Sequence, residues 1–172
     1  TVAEQLVGSF GAKITLVGRS PLPARAAWAN HLQMHGPNQS VSRRIMAVQR
    51  LEGLGAEVEI VAADVTDYAK MLEAKSISEQ RFGKIGMVIH AAGFVADAPL
   101  MTKTALQAGD VLAPKVHGTL VLDRLFPDGS LDYLVLFASS STTTGPAGQI
   151  DYIAANEFLN SYSKMRAGGK TK

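Results

Sequence analysis

Four polar side chains stand at spacings that suit the reduction of a carbonyl. Ser139 closes an apolar run, Phe137-Ala138-Ser139, and Tyr152 follows thirteen residues later. Asn156 lies four residues beyond Tyr152, so both project from one face of a single helix. Lys115 follows Ala113-Pro114, twenty-four residues before Ser139. Hydride delivery to a ketone needs an acid to protonate the developing alkoxide and a donor to hold the carbonyl oxygen. A tyrosine of ordinary pKa, about 10, needs a nearby ammonium to favour its ionised form and bring it towards neutrality. Ser, Tyr and Lys would then supply binding, proton transfer and tuning. A lone Ser or Tyr is usually structural; this combination is harder to read that way.

Such side chains need rigid elements beneath them. Four β-branched apolar runs read as strands: 13–17, 57–62, 85–90 and 131–137. The first, third and fourth are nearly continuous in apolar residues, the pattern of interior parallel strands covered on both faces, whereas Glu57 and Glu59 suit an edge. Helical periodicity covers 1–10 with Gly11 as a stop, 41–54 with Ser40 or Ser42 as a cap, and 67–82 starting at Asp67. It continues over 104–126, where Pro114 predicts a kink or two segments, and over 149–166. Strand and helix alternate, so the expected fold is α/β, a doubly wound, Rossmann-like parallel sheet with ligands at the carboxyl ends of its strands. Residues 21–40, with three prolines and Trp28, fit neither period and read as a surface insertion; 168–172 reads as a flexible basic tail.

The strand ends offer cofactor chemistry. Gly18-Arg19-Ser20 ends the first run, where an Arg accommodates a 2′-phosphate, although a solvated loop Arg is the plainer reading. Asp64-Val65 could flank an adenine, or simply form a turn before the next helix. His90-Ala91-Ala92-Gly93 ends the third strand with small residues that let a ribose and nicotinamide approach the backbone, or that serve tight packing. The glycine-rich turn of a dinucleotide site is absent: Gly53-Leu54-Gly55 precedes a strand and reads as a helix end. The expectation is therefore a sheet lacking its first strand and that turn.

Composition narrows the field. The 172 residues are 47% hydrophobic and 19% charged, the balance of a single globular domain, with a net charge of +2 too weak to argue for nucleic acid. No apolar run is long enough for a membrane span. The absence of Cys excludes disulfides and thiolate catalysis and is compatible with a cytoplasmic setting. No metal site is expected: His31 and His35 stand four residues apart without a third ligand. No G-x-S-x-G elbow supports a hydrolase.

Across nearly its whole length the sequence resembles a polyketide-synthase ketoreductase domain, a branch of the short-chain dehydrogenase/reductases. The residues that carry the resemblance are Leu16-Val17-Gly18-Arg19-Ser20, Asp64-Val65, His90-Ala91-Ala92-Gly93, Leu112 to Gly118, and Tyr152 to Leu159. Most short-chain reductases carry a Lys four residues after the Tyr; Asn156 in that place, with the Lys upstream at Lys115, is typical of the polyketide branch. The resemblance implies hydride transfer from NADPH to the β-ketone of an acyl chain on an acyl carrier protein, beside neighbouring synthase domains. It makes Tyr152 the proton donor and Ser139 the carbonyl-oxygen donor. Lys115 and Asn156 support Tyr152, the ribose and a proton relay. Arg19 and Ser20 would meet the 2′-phosphate, Asp64 and Val65 the adenine, and Ala91, Ala92 and Gly93 the nicotinamide side.

Two family features are not found: the glycine turn, and a closing strand and lid beyond Lys172. The family's structural half-domain is not found either. Val95-Ala96-Asp97 keeps the final Asp of one stereochemical class, and Thr144 replaces the Trp of the other, which leans towards a D-configured hydroxyl. The alternatives are a free-standing short-chain carbonyl reductase and a non-catalytic structural fragment.

Overall fold

Thr1 caps the first helix: its hydroxyl accepts the Glu4 amide while the Glu4 carboxylate returns to the N-terminal nitrogen. Helix α1 (Val2–Phe10) ends at Gly11, whose φ of 61° is a left-handed conformation open to a residue without a Cβ. The computed structural model describes residues 1–172 and divides into two compact units, Thr1–Ala63 and Asp64–Lys172.

In the first unit, strand β1 (Ile14–Gly18) is followed by a 3₁₀ turn (Arg25–Ala27), helices α2 (Trp28–His35) and α3 (Ser40–Gly53), and strand β2 (Val58–Ala62). The two strands are parallel, from Ile14 opposite Val58 to Gly18 opposite Ala62, so the helices form a crossover between them. Ile45, Val48 and Leu51 recur at steps of three on α3 and meet Val7, Trp28 and Val58 in one core. Trp28 overturns the reading of 21–40 as a mere surface insertion. Its ring is buried, its indole nitrogen donates to the Pro23 carbonyl at 2.8 Å, and the Arg25 guanidinium lies 4.8 Å above it. Neither expected serine caps α3. Gln39 holds that position, Ser40 is the first helical residue, and Ser42 is buried on the core side.

The second unit contains α4 (Tyr68–Phe82), β3 (Met87–His90), α5 (Ala105–Leu125), β4 (Tyr133–Leu136), the short α6 (Ser141–Thr144) and α7 (Ile150–Arg166). Asp67 caps α4 by accepting the Lys70 amide at 3.1 Å, and Thr104 with Gln107 closes a capping box on α5. Strands β3 and β4 are parallel, from Met87 opposite Tyr133 to His90 opposite Leu136. Of the kink or two segments expected at Pro114, two segments are not found: α5 is one helix, with Val111, Lys115 and Thr119 buried on either side of the proline, so packing outweighs the lost amide donor. At the far end of α5, Asp123 accepts from the Tyr162 hydroxyl at 2.5 Å and from Arg166 at 2.7 Å, joining α5 to α7.

Two further expectations change. The strands form two separate two-stranded sheets, and Val17 and Tyr133 remain exposed, so the predicted two-sided coverage is not reached within this chain. The basic end, expected as a flexible tail, makes hydrogen bonds to residues 128–134. Asp128 accepts the Lys170 and Thr171 amides at 3.0 and 2.9 Å. Lys172 donates its amide to Asp132 and accepts that of Leu134, at 3.0 and 2.8 Å, the bonding pattern of a parallel bridge to β4.

Ile45 is fully buried in the core of the first unit. Ile45→Ala should lower unfolding stability by about 2–5 kcal/mol, read as a shift in the urea midpoint.

Candidate active site

Strands β3 and β4 end side by side, Phe137 donating its amide to the His90 carbonyl at 3.0 Å. Parallel pairing brings both carboxyl ends to the same edge, and the chain then leaves through Ala91-Ala92-Gly93 and Ala138-Ser139. Lys115 reaches this place from the middle of α5. Its Nζ donates to the Phe137 carbonyl at 2.8 Å, two residues before Ser139. The side chain is 4% exposed, and burial holds its pKa below the ordinary lysine value.

Bare backbone makes room for that side chain. A Cβ on Gly93 would stand 2.9 Å from Lys115 Cε. One turn along α5, a Cβ on Gly118 would stand 2.8 Å from Val65 Cγ1 and 3.4 Å from His90 Cε1, so Gly118 admits both neighbours. His90 is 3% exposed. Its burial and the Lys115 charge lower its pKa to about 4, against a weaker upward pull from the Pro114 and Lys115 backbone. His90 is therefore neutral near pH 7, with a buried Nε2 that has no partner.

Ser139 is half-buried, and its Oγ accepts from the Ser141 amide at 3.2 Å and the Ser141 hydroxyl at 3.0 Å. Both contacts use its lone pairs, leaving its own proton for donation. Tyr152 lies in the first turn of α7, half-buried and held through its backbone from two sides. Its amide donates to Asp151 Oδ1 at 2.9 Å, and its carbonyl accepts from Asn156 Nδ2 at 2.7 Å. Asn156 is fully buried, and its Oδ1 has no protein partner. No hydrogen bond joins Tyr152 to Ser139 or Lys115. Asp64 Oδ1 accepts from the Thr66 amide and hydroxyl at 2.9 and 2.7 Å, as a turn residue would, while Val65 packs on Gly118.

Arg19 and Ser20 belong to the other unit, beyond the end of β1. They border a groove of about 410 Å³ that Val17, Leu22 and Arg44 also line. Arg44, which sequence reasoning missed, donates from Nη2 to the Ser20 carbonyl at 2.6 Å. The groove thus carries two guanidinium groups. The signal available was the Arg43-Arg44 pair in the first turns of a helix leading back to the sheet. Also missed was the Lys103–Asp151 ion pair, 2.6 Å between Nζ and Oδ2, whose cue was an Asp beside the candidate Tyr. His31 Nε2 lies 3.1 Å from Gln39 Oε1, and no three His, Asp or Glu side chains gather to hold a metal. No helix is long and apolar enough to cross a membrane.

Residues 1–172 match the family model of the KR domain. Among curated proteins, the chain is 32% identical over 164 residues to 5-methyl-1-naphthoate synthase of Streptomyces sahachiroi, covering 95% of this chain and 9% of that protein. It is 35% identical over 167 residues to polyketide synthase PksL of Bacillus subtilis, covering 94% of this chain and 4% of that protein. The chain thus spans less than a tenth of these relatives. A ketoreductase domain from the bacillaene assembly line superposes with a TM-score of 0.80 at 31% identity, over 96% of this chain and 36% of that one. The fold is shared more widely. A short-chain dehydrogenase/reductase of Burkholderia phymatum in complex with NAD gives a TM-score of 0.74 at 22% identity, over 99% of this chain and 58% of that one.

The buried His90 sets a pH dependence. Its folded pKa, about 4, lies below the ordinary 6.5, so between these values the unfolded chain binds the extra proton. The contribution is intact above pH 6.5 and is lost as pH falls through 4, by up to about 3 kcal/mol. Urea midpoints at pH 7 and pH 4 should differ less in His90→Gln than in the parent.

Proposed function

The chain belongs to the ketoreductase (KR) domain family of polyketide synthases, within the short-chain dehydrogenase/reductase superfamily, and we propose that it reduces the β-keto group of an acyl chain on an acyl carrier protein with NADPH as reductant. The observation that carries this reading is the buried Lys115 ammonium, fixed to the Phe137 carbonyl at the strand end that presents Ser139.

The residues present suit a phosphorylated dinucleotide. The groove with Arg19 and Arg44 supplies two positive charges at a strand end, Arg44 held by the Ser20 carbonyl, a setting suited to a 2′-phosphate. The backbone of Ala91, Ala92 and Gly93 offers an approach free of side-chain bulk. Asp64 and Val65 would line the adenine side, Asp64 by shaping the turn. When bound, NADPH supplies the hydride.

This chain's residues would do the rest. Ser139 directs its free hydroxyl proton at the substrate carbonyl oxygen and holds it as negative charge grows. Tyr152 gives its phenolic proton to that oxygen, and the Lys115 ammonium stabilises the tyrosinate left behind. Asn156 grips the Tyr152 carbonyl and points a buried acceptor oxygen inward, a suitable station for returning a proton from solvent. A carrier protein and neighbouring synthase domains would be the partners, in line with the synthases that the chain resembles.

In the full-length protein, Tyr152→Phe should lower NADPH-dependent reduction of a β-ketoacyl thioester about 100-fold or more, followed by loss of NADPH absorbance. Retained turnover would remove Tyr152 from the donor role. Arg19→Ala should raise the KM for NADPH while leaving that for NADH nearly unchanged.

A further inference from the structure

Lys103 and Asp151 form an ion pair for which the proposed chemistry has no use. Their charged atoms are 2.6 Å apart and each side chain is 3% exposed. A buried pair is a poor source of stability, because desolvation offsets its attraction, yet each charge strictly requires its partner. Its effect is to hold geometry.

The geometry it holds is that of Tyr152. Asp151 uses one carboxylate oxygen for Lys103 and the other for the Tyr152 amide, at 2.9 Å. Lys103 also donates to the Ala96 carbonyl at 2.8 Å. Alongside, the Ala98 amide donates to the Gly148 carbonyl at 3.1 Å, and Gln149 Nε2 to Asp97 Oδ2 at 2.9 Å. The segment between β3 and α5 is thereby tacked to the start of α7, with Lys103 at its innermost point.

We propose that Lys103 is a positioning residue for Tyr152, acting through Asp151. This rests on the reading of Tyr152 as proton donor. Lys103 does not touch substrate or cofactor; it fixes the carboxylate that fixes the Tyr152 backbone, and so sets where the phenol delivers its proton. Asp151 in the first turn also complements the helix dipole, a purely structural benefit that it would keep without Lys103.

The test uses Lys103→Met, Lys103→Arg and Asp151→Glu in the full-length protein, with a soluble β-ketoacyl thioester. Lys103→Met should lower kcat about 10- to 100-fold, with the KM for NADPH within about twofold of the parent. Lys103→Arg keeps charge and donors and should recover most of kcat. Asp151→Glu keeps the charge but moves the carboxylate by one methylene, so kcat should fall again. Amide hydrogen exchange at Tyr152, which needs no turnover, should accelerate in Lys103→Met and not in Lys103→Arg. Parental kcat in folded Lys103→Met, or unchanged Tyr152 exchange there, overturns the proposal. If Lys103→Met does not fold, Asp151→Glu decides, parental kcat and exchange again overturning it. Failure of the catalytic reading has a different signature, turnover retained in Tyr152→Phe.

Discussion

Keeping an ammonium out of water is the constraint on which the second unit depends. The Lys115 charge needs an acceptor within bonding distance, and the Phe137 carbonyl at the end of β4 supplies it. That carbonyl is in place because the Phe137 amide is held by His90 at the end of β3. The side chain can reach it only past a residue without a Cβ, which is Gly93. Parallel strands, a crossover helix and one bare glycine are thus three requirements of a single buried charge. The same charge helps keep His90 neutral, so near pH 7 that pocket holds a single cation.

The tyrosine helix meets a different demand. Its far end is fastened to α5 by Asp123, which accepts from Tyr162 and Arg166, and its near end to the segment before α5 by the Lys103–Asp151 ion pair. Burial, together with the Asp123 hydrogen bond, pushes the Tyr162 phenol up to about 12, so that ring serves as a neutral donor and not as a titrating group. Two tyrosines ten residues apart on one helix therefore have different surroundings, in keeping with the different task proposed for Tyr152. One is locked by a carboxylate; the other has a hydroxyl free of protein partners.

Much of this was legible in the sequence. The strands and helices announced themselves through period, and Asp67 and Gly11 marked helix ends because their chemistry is local. Ser139, Tyr152, Asn156 and Lys115 stand out because residue type and spacing suit proton transfer, the role proposed for them. What escaped was non-local. Arg44 reaches the Ser20 carbonyl only because α3 returns to the end of β1, and Lys103 meets Asp151 across 48 residues of sequence. Trp28 hid among prolines that broke the periodicity. The basic tail looked disposable because Lys and Gly say nothing of Asp128, the carboxylate that captures it.

That captured tail has a practical side. Because the Lys172 backbone bonds to Asp132 and Leu134 as a parallel strand does, a substitution there has to keep an amide donor. A proline at position 172 would lack the amide that the Asp132 carbonyl accepts, so that bond would be lost. At Lys172 it is therefore the backbone, not the basic side chain, that carries the contact with β4.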